Sequence, residues 1–372
     1  MTDDVRAFTA GCPIAVAPKD IEKELARLWR QASQGGGDGE AGDGRQQRVV
    51  TRACLWNVIV YTTGGAAFEE AKALVDQISP SLPARVLVLS ADVAAPEAPI
   101  QAWIEANWHS GGGARQIGSD EVTLVATGEA VALLPQMVRA LVVPDVPVAA
   151  IWHGVLPGHT PLDEELLASA ERVIITGDGG EAAVRALAAL ASGTQPRVAR
   201  SCDITSRAWL GAAHFRYLVA GLFDPPTPAE EPWAIREITV RVSEANTDAA
   251  LLLLGWLAAR LRWRDGRVVG ARRYAWTREG GEVQAAVEVV PAAETTDVLA
   301  KIELITDAGP YAVTRAQKSV ILETPEIARK QPHHIPDHAE LWIAALGARG
   351  RDPLFGAALR EAAPLVRSHA HF

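Results

Sequence analysis

Gly177-Asp178-Gly179-Gly180 stands between a strand-like and a helix-like stretch, a setting in which amides at a helix start can cradle a phosphate. The run lacks the last glycine of the G-x-G-x-x-G spacing, and a glycine-rich strand-to-helix turn also serves simply as a turn. His333, His334 and His338 could offer nitrogen ligands to a metal, but Pro332 and Pro336 prevent a shared helical face. No cysteine or paired carboxylate completes a ligand set there. Gly111-Gly112-Gly113 has no strand-loop-helix setting, and neither Ser110 nor Ser119 sits in a G-x-S-x-G elbow. The expectation is a chain with no catalytic residue, no metal and no cofactor.

Tryptophans and arginines are the other candidates. The 372 residues hold eleven Trp beside four Tyr and six Phe. Trp and Arg are enriched where one protein meets another, because each joins a large contact area to a polar handle. Trp152 ends a strand-like segment, at the position where α/β sheets open ligand crevices. The segment Arg200–Asp224 gathers Arg200, Asp203, Thr205, Arg207, Trp209 and Arg216. Its stretch Ser206–Phe223 predicts one helix capped by Thr205 or Ser206 and apolar nearly all round, as suits a helix held between two surfaces. Seven residues apart, Trp209 and Arg216 share a face, and Arg207 aligns with His214 on another. Alternatively, Arg85, Arg200 and Arg207 could pair with a sugar phosphate in a crevice near Trp152 and Gly177–Gly180.

The elements that must position these residues fall into two patterns. Residues 1–18 read as a tail, Pro18–Gln31 as an amphipathic helix and Ser33–Gly44 as a glycine-rich linker. From Val49 strand and helix alternate: strands over Val49–Tyr61, Arg85–Ser90, Val122–Thr127, Val146–Trp152 and Val173–Thr176, with helices between them. Pro196–Ala199 offers a last strand, and Ala91–Gly118 breaks the rhythm with room for an antiparallel or inserted piece. This alternation predicts an α/β domain with a largely parallel sheet and flanking helices over residues 48–224. Four prolines in Asp224–Pro232 predict a linker at 225–233. Beyond it, a strand and the buried helix Thr247–Trp263 precede consecutive strands, with hairpin turns at Glu279–Glu282 and Thr306–Pro310, and two closing helices. That pattern predicts an α+β domain with an antiparallel sheet over 234–372.

Composition narrows the function classes. A net charge of −9 without a Lys/Arg run argues against nucleic acid as the main partner. The longest uncharged apolar run, Ala249–Ala259, falls short of the ~20 residues needed to span a bilayer, so no membrane partner is expected. No signal-peptide pattern is seen, and the expected location is the cytoplasm. Cys12, Cys54 and Cys202 are too widely spaced for a zinc framework and read as isolated thiols.

The segment Asp203–Asp224 also carries a resemblance, with its Asp-apolar-Thr opening, its Arg and Trp, its helix and its closing Phe-Asp. It resembles the OpcA-type glucose-6-phosphate dehydrogenase assembly proteins. Four further stretches agree in order: Leu55–Val60 with its Asn57, Pro83–Val88, Val143–Val148 running to Trp152, and the helix Ala249–Trp263. A fifth, Arg351-Asp352-Pro353-Leu354-Phe355, leads into the last helix. The resemblance covers residues 48–363, and Ser206 departs from it where the family often has Trp. It implies a non-catalytic activator whose partner is glucose-6-phosphate dehydrogenase, in the oxidative pentose phosphate pathway.

Overall fold

The computed structural model describes residues 7–9, 13–34, 49–52, 54–110, 115–177, 179–192, 202–291, 298–316, 318–348 and 350–366. Along the chain run β1 (Ala7–Thr9), β2 (Ile14–Val16), α1 (Ile21–Gln34), β3 (Val49–Arg52), β4 (Trp56–Thr62), α2 (Gly65–Ile78), β5 (Ala84–Asp92), β6 (Ala98–Ser110) and β7 (Arg115–Thr127). Next come α3 (Leu134–Leu141), β8 (Val148–Trp152), α4 (Pro161–Ser169), β9 (Arg172–Ile175), α5 (Gly180–Ala191), β10 (Asp203–Ser206), α6 (Arg207–Gly211), α7 (Ala213–Gly221), β11 (Glu237–Val242) and α8 (Thr247–Arg260). The chain continues with β12 (Arg264–Gly270), β13 (Arg273–Arg278), β14 (Gly281–Val289), β15 (Lys301–Ile305), β16 (Pro310–Ala316), β17 (Ser319–Glu323), β18 (Ala328–Pro332), α9 (His338–Gly347) and α10 (Pro353–Ala362). The result is a mixed α/β protein with one largely parallel and one largely antiparallel sheet.

In the first unit, β4 pairs in parallel with β5 and β8, and β5 pairs in parallel with β7. These strands are continuous apolar runs because helices cover both faces of a parallel sheet. Accordingly Val58–Val60, Val86–Leu89 and Val148–Trp152 are almost wholly buried. The break expected within Ala91–Gly118 is the strand β6, which runs antiparallel to β7. Residues 7–9 and 14–16, read as part of a tail, form β1 and β2, which both pair with β6. The single strand expected over Val49–Tyr61 is two strands, and β3 pairs with β7 rather than continuing into β4.

Asn57 explains how β4 is joined to the turn before β8. It is fully buried, its Nδ2 donates to the carbonyls of Val143 and Val146 at 3.0 Å, and its Oδ1 accepts from the Val143 amide at 2.8 Å. Asn57→Leu should therefore lower stability by about 3 kcal/mol or more, because each buried group left without a partner costs ~1–3 kcal/mol. Urea unfolding checks this, as a fall in midpoint at unchanged slope.

In the second unit the sheet runs β12-β13-β14-β11-β15-β16-β17-β18, antiparallel where pairs are resolved except for the parallel pair β11–β14. α8 packs on β11, β14 and α10, and the run Ala249–Gly255 is buried on every side. Gly255 admits the close approach of α10: a Cβ there would overlap the Ala358 carbonyl and crowd Ala362. The first of the consecutive strands expected after α8 is the hairpin β12–β13, turned by Arg272 at φ 53. β18 occupies the polar stretch just before His333.

The division of the chain departs from the expectation of a linker at 225–233. The first compact unit holds the elements through β9 together with α9, and the second holds α5–α8, β10–β18 and α10. The prolines do exclude a helix or strand over Asp224–Glu230, but the segment is an internal turn of the second unit. Phe223 stacks on Tyr311 at 4.8 Å, and buried Glu231 accepts a hydrogen bond from Thr306 Oγ1. The linker residues 35–44 and the strand expected at Pro196–Ala199 lie outside the described residues.

Candidate functional site

The segment singled out in the sequence becomes a compact cluster in the second unit. Ser206 ends β10 and caps α6, its Oγ accepting from the Trp209 amide at 3.2 Å. The helix expected over Ser206–Phe223 is interrupted at Ala212 (φ −80, ψ 0), which separates α6 from α7. Trp209 is buried, and its Nε1 donates to Asp352 Oδ2 at 2.7 Å. Asp352 also caps α10, its Oδ1 accepting from the amides of Leu354 and Phe355 at 2.9 and 3.2 Å. The Arg216 guanidinium lies over the indole, 3.3 Å from its centroid, and donates to the Trp209 carbonyl at 2.7 Å. Burial pushes this guanidinium down to about 10, and the charge of Asp352 opposes the shift. The Phe355 ring sits 5.3 Å from Trp209. Trp209 and Arg216 thus share a face, and that face is turned into the unit.

The side of α7 away from the buried Phe215, Leu218 and Val219 is open. Ala213, Tyr217 and Ala220 are exposed along it, with Tyr217 at 75%. An aromatic ring standing among small residues is a surface that a partner can cover. The sequence does not single out Tyr217, because a helix that is apolar nearly all round does not reveal which side is covered. Arg207 is half-buried and donates to Asn246 Oδ1 at 3.4 Å, while Asp203 and Thr205 are half-buried on β10. Arg200 lies outside the described residues.

Arg85 and Trp152 belong to the interior of the first unit. Arg85 donates to Asp120 Oδ2 at 2.8 Å and to the Leu141 carbonyl at 2.7 Å, and it also pairs with Glu22. Its guanidinium is engaged on all sides and is not offered to a phosphate. Trp152 is fully buried and donates to Asp163 Oδ1 at 2.9 Å, while Asp163 Oδ2 accepts from the Thr160 hydroxyl at 2.7 Å in the capping box of α4. Arg85 stands opposite Asn57, and Trp152 stands opposite Tyr61. Four residues of β4 separate those positions, about 13 Å along the strand, so one small phosphate cannot meet both.

His333 and His338 do not form a metal face. His333 packs against His214 at 4.5 Å in the second unit, while His338 begins α9 in the first, 3.5 Å from Glu70. Among the described residues no group of three or more His, Cys, Asp or Glu side chains could hold a metal. Cys202 is buried and Cys54 half-buried, whereas Cys12 lies outside the described residues. No helix among the described residues is long and apolar enough to cross a membrane.

Two cavities were not foreseen as such. One, of about 530 Å³ in the second unit, opens at the start of α5, with Gly179, Gly180, Glu181, Glu244, Thr247 and Arg272 in its wall. Arg272 Nη2 donates to both oxygens of Glu244 at 2.7 Å, so the cation of this cavity is already held by a carboxylate. The other, of about 430 Å³ in the first unit, lies against α2, β6 and β7 and contains Lys72, Glu105 and Glu121. The Glu105–Glu121 pair escaped the sequence reading because β6 was not recognised as a strand facing β7.

Comparison with known proteins places these observations. The chain matches a family model described as the glucose-6-phosphate dehydrogenase subunit N-terminal domain over residues 75–192. It matches the corresponding C-terminal domain model over residues 202–359. Two relatives bear the provisional description OxPP cycle protein OpcA. The one from Synechocystis sp. is 26% identical over 199 residues, 52% of this chain and 40% of the relative. The one from Nostoc punctiforme is 24% identical over 185 residues, 48% and 39% respectively. The match therefore spans about two fifths of the length of each relative. Among solved structures, glucose-6-phosphate 1-dehydrogenase from Mycobacterium avium aligns at a TM-score of 0.49 and 12% identity, covering 84% of this chain and 91% of that one. A dehydrogenase from Chromobacterium violaceum aligns at a TM-score of 0.45 and 10% identity, covering 84% and 93%. With its N-terminal and C-terminal models matched in order along most of its length, the chain belongs to the OpcA family of glucose-6-phosphate dehydrogenase subunits.

Proposed function

We propose that this chain is a non-catalytic partner of glucose-6-phosphate dehydrogenase that favours the enzyme's active assembly, serving the oxidative pentose phosphate pathway in the cytoplasm. The observation that carries this reading is the pair of family matches to the subunit's two domains, in order, across most of the chain. An activator must bind the competent form of its target more tightly than the incompetent one, since equal affinity shifts nothing. A preference of about 2.7 kcal/mol moves the ratio roughly a hundredfold.

The open side of α7 is the surface we assign to this contact. Tyr217→Ala should leave thermal stability nearly unchanged, because the ring is already exposed. It should weaken association with the dehydrogenase by ~2 kcal/mol or more if the ring is a central anchor. Titration of the labelled dehydrogenase with the unaltered chain and with Tyr217→Ala reads this directly, and equal affinity of the two would remove α7 from the interface. The chain alone should not reduce a nicotinamide nucleotide with glucose 6-phosphate, and turnover by homogeneous protein would overturn the non-catalytic reading.

A second reading, a sugar-phosphate ligand, is favoured by the cavity at the start of α5, where helix amides could face an anion. The carboxylates of Glu181 and Glu244 count against it. A thermal shift with glucose 6-phosphate that is absent with glucose would support it.

A further inference from the structure

We propose that the cavity against α2, β6 and β7 is a binding site for an organic cation, an ammonium head on an apolar stem, independent of the dehydrogenase contact. Glu105 on β6 stands directly across from Glu121 on β7 in the antiparallel register, so both carboxyls project from the same face of the sheet. Glu105 is buried, and the Glu121 side chain is only 2% exposed. Glu121 Oε1 accepts from Lys72 and from Thr123 Oγ1, the latter at 3.1 Å, whereas Oε2 is buried with no hydrogen-bond partner. A carboxylate oxygen without a donor is costly in a buried setting and calls for a cation or a proton.

Among the described residues Lys72 is the one cation of the lining, set against the carboxyls of Glu69, Asp76, Glu105 and Glu121. A second positive group is therefore accommodated by charge. The half-buried rings of Phe68 and Trp103 complete the wall. They suit a hydrocarbon stem, and an indole face attracts an ammonium. A hydrated inorganic ion would make little use of either ring.

The groups around Glu105 also set a pH dependence. Burial, and then the charge of Glu121 beside it, push the Glu105 carboxyl up to about 7; Lys72 acts against this, Asp76 adds to it and a hydrogen bond with Asn107 lowers it. Burial likewise pushes Glu121 up. Near pH 7 Glu105 is divided between its protonated and charged forms, and an ammonium bound beside the carboxylate expels the remaining proton. Glu105 loses this proton as pH rises through about 7, so binding should strengthen about tenfold between pH 6 and pH 8.

The test is calorimetric titration of the full chain with n-butylamine, which stays protonated over this range, in two buffers of different ionisation heat. N-acetyl-lysine N-methylamide is run in parallel, because the same head and stem occur free or as a lysine of a docked segment. Saturable binding is expected, with proton release and the stated pH dependence, and the tighter of the two probes identifies the source. The isosteric Glu105→Gln should keep the fold, weaken binding about tenfold at pH 8 and abolish proton release. Absence of saturable heat, unchanged binding by Glu105→Gln, or equal competition by potassium ions would each overturn the proposal.

Discussion

Replacing Trp209 with alanine should lower the stability of the second unit by about 3–5 kcal/mol, the range for loss of a buried aromatic side chain. The effect belongs at the upper end because the indole serves three neighbours. It lies under the Arg216 guanidinium, donates to the carboxylate that caps α10, and packs beside Phe355. Without it Arg216 remains largely buried, with its cation–π contact gone. Trp209→Phe retains an aromatic surface and loses the donor to Asp352, so it should cost less, about 1–2 kcal/mol. Urea unfolding of the two variants orders them. A loss below 1 kcal/mol for the alanine variant would mean that the indole does not hold α6, α7 and α10 together.

Arg85→Met should be comparably damaging to the first unit, by about 3–5 kcal/mol, because it removes the guanidinium from a carboxylate whose side chain is fully buried. Replacing the pair together, as Arg85→Met with Asp120→Leu, should recover much of that loss, since apolar substitutes avoid the cost of an uncompensated charge. A double variant less stable than the single one would show that Asp120 stabilises the unit through contacts other than Arg85, because the Glu22 and Leu141 contacts are absent from both variants.

The elements most legible in the sequence are those whose burial leaves one reading. β4, β5 and β8 are continuous apolar runs because both faces of a parallel sheet are covered, and α8 is apolar all round because sheet strands and α10 cover it. β6 was hidden between Pro96 and Gly111, with Glu105 on a buried side of its alternation. β18 is not announced by its sequence because Lys330 and Pro332 suit a loop and an edge strand equally well. The β12–β13 turn rests on Arg272 in a conformation that its residue type does not announce.

Site residues were less legible than strands. Arg85 and Trp152 have the composition of a binding surface, and what decides otherwise is distant in sequence, Asp120 for one and Asp163 for the other. The pairing of Trp209 with Arg216 survives the break at Ala212, whereas the outward direction of Tyr217 depends on what covers the other side of α7.

The most direct test of the central claim is glucose-6-phosphate dehydrogenase activity measured as this chain is titrated in, with particle mass recorded on the same mixtures. The account predicts that activity and the mass of the assembled species rise together and saturate at a fixed ratio of chain to enzyme. Unchanged activity and mass at every ratio would contradict it.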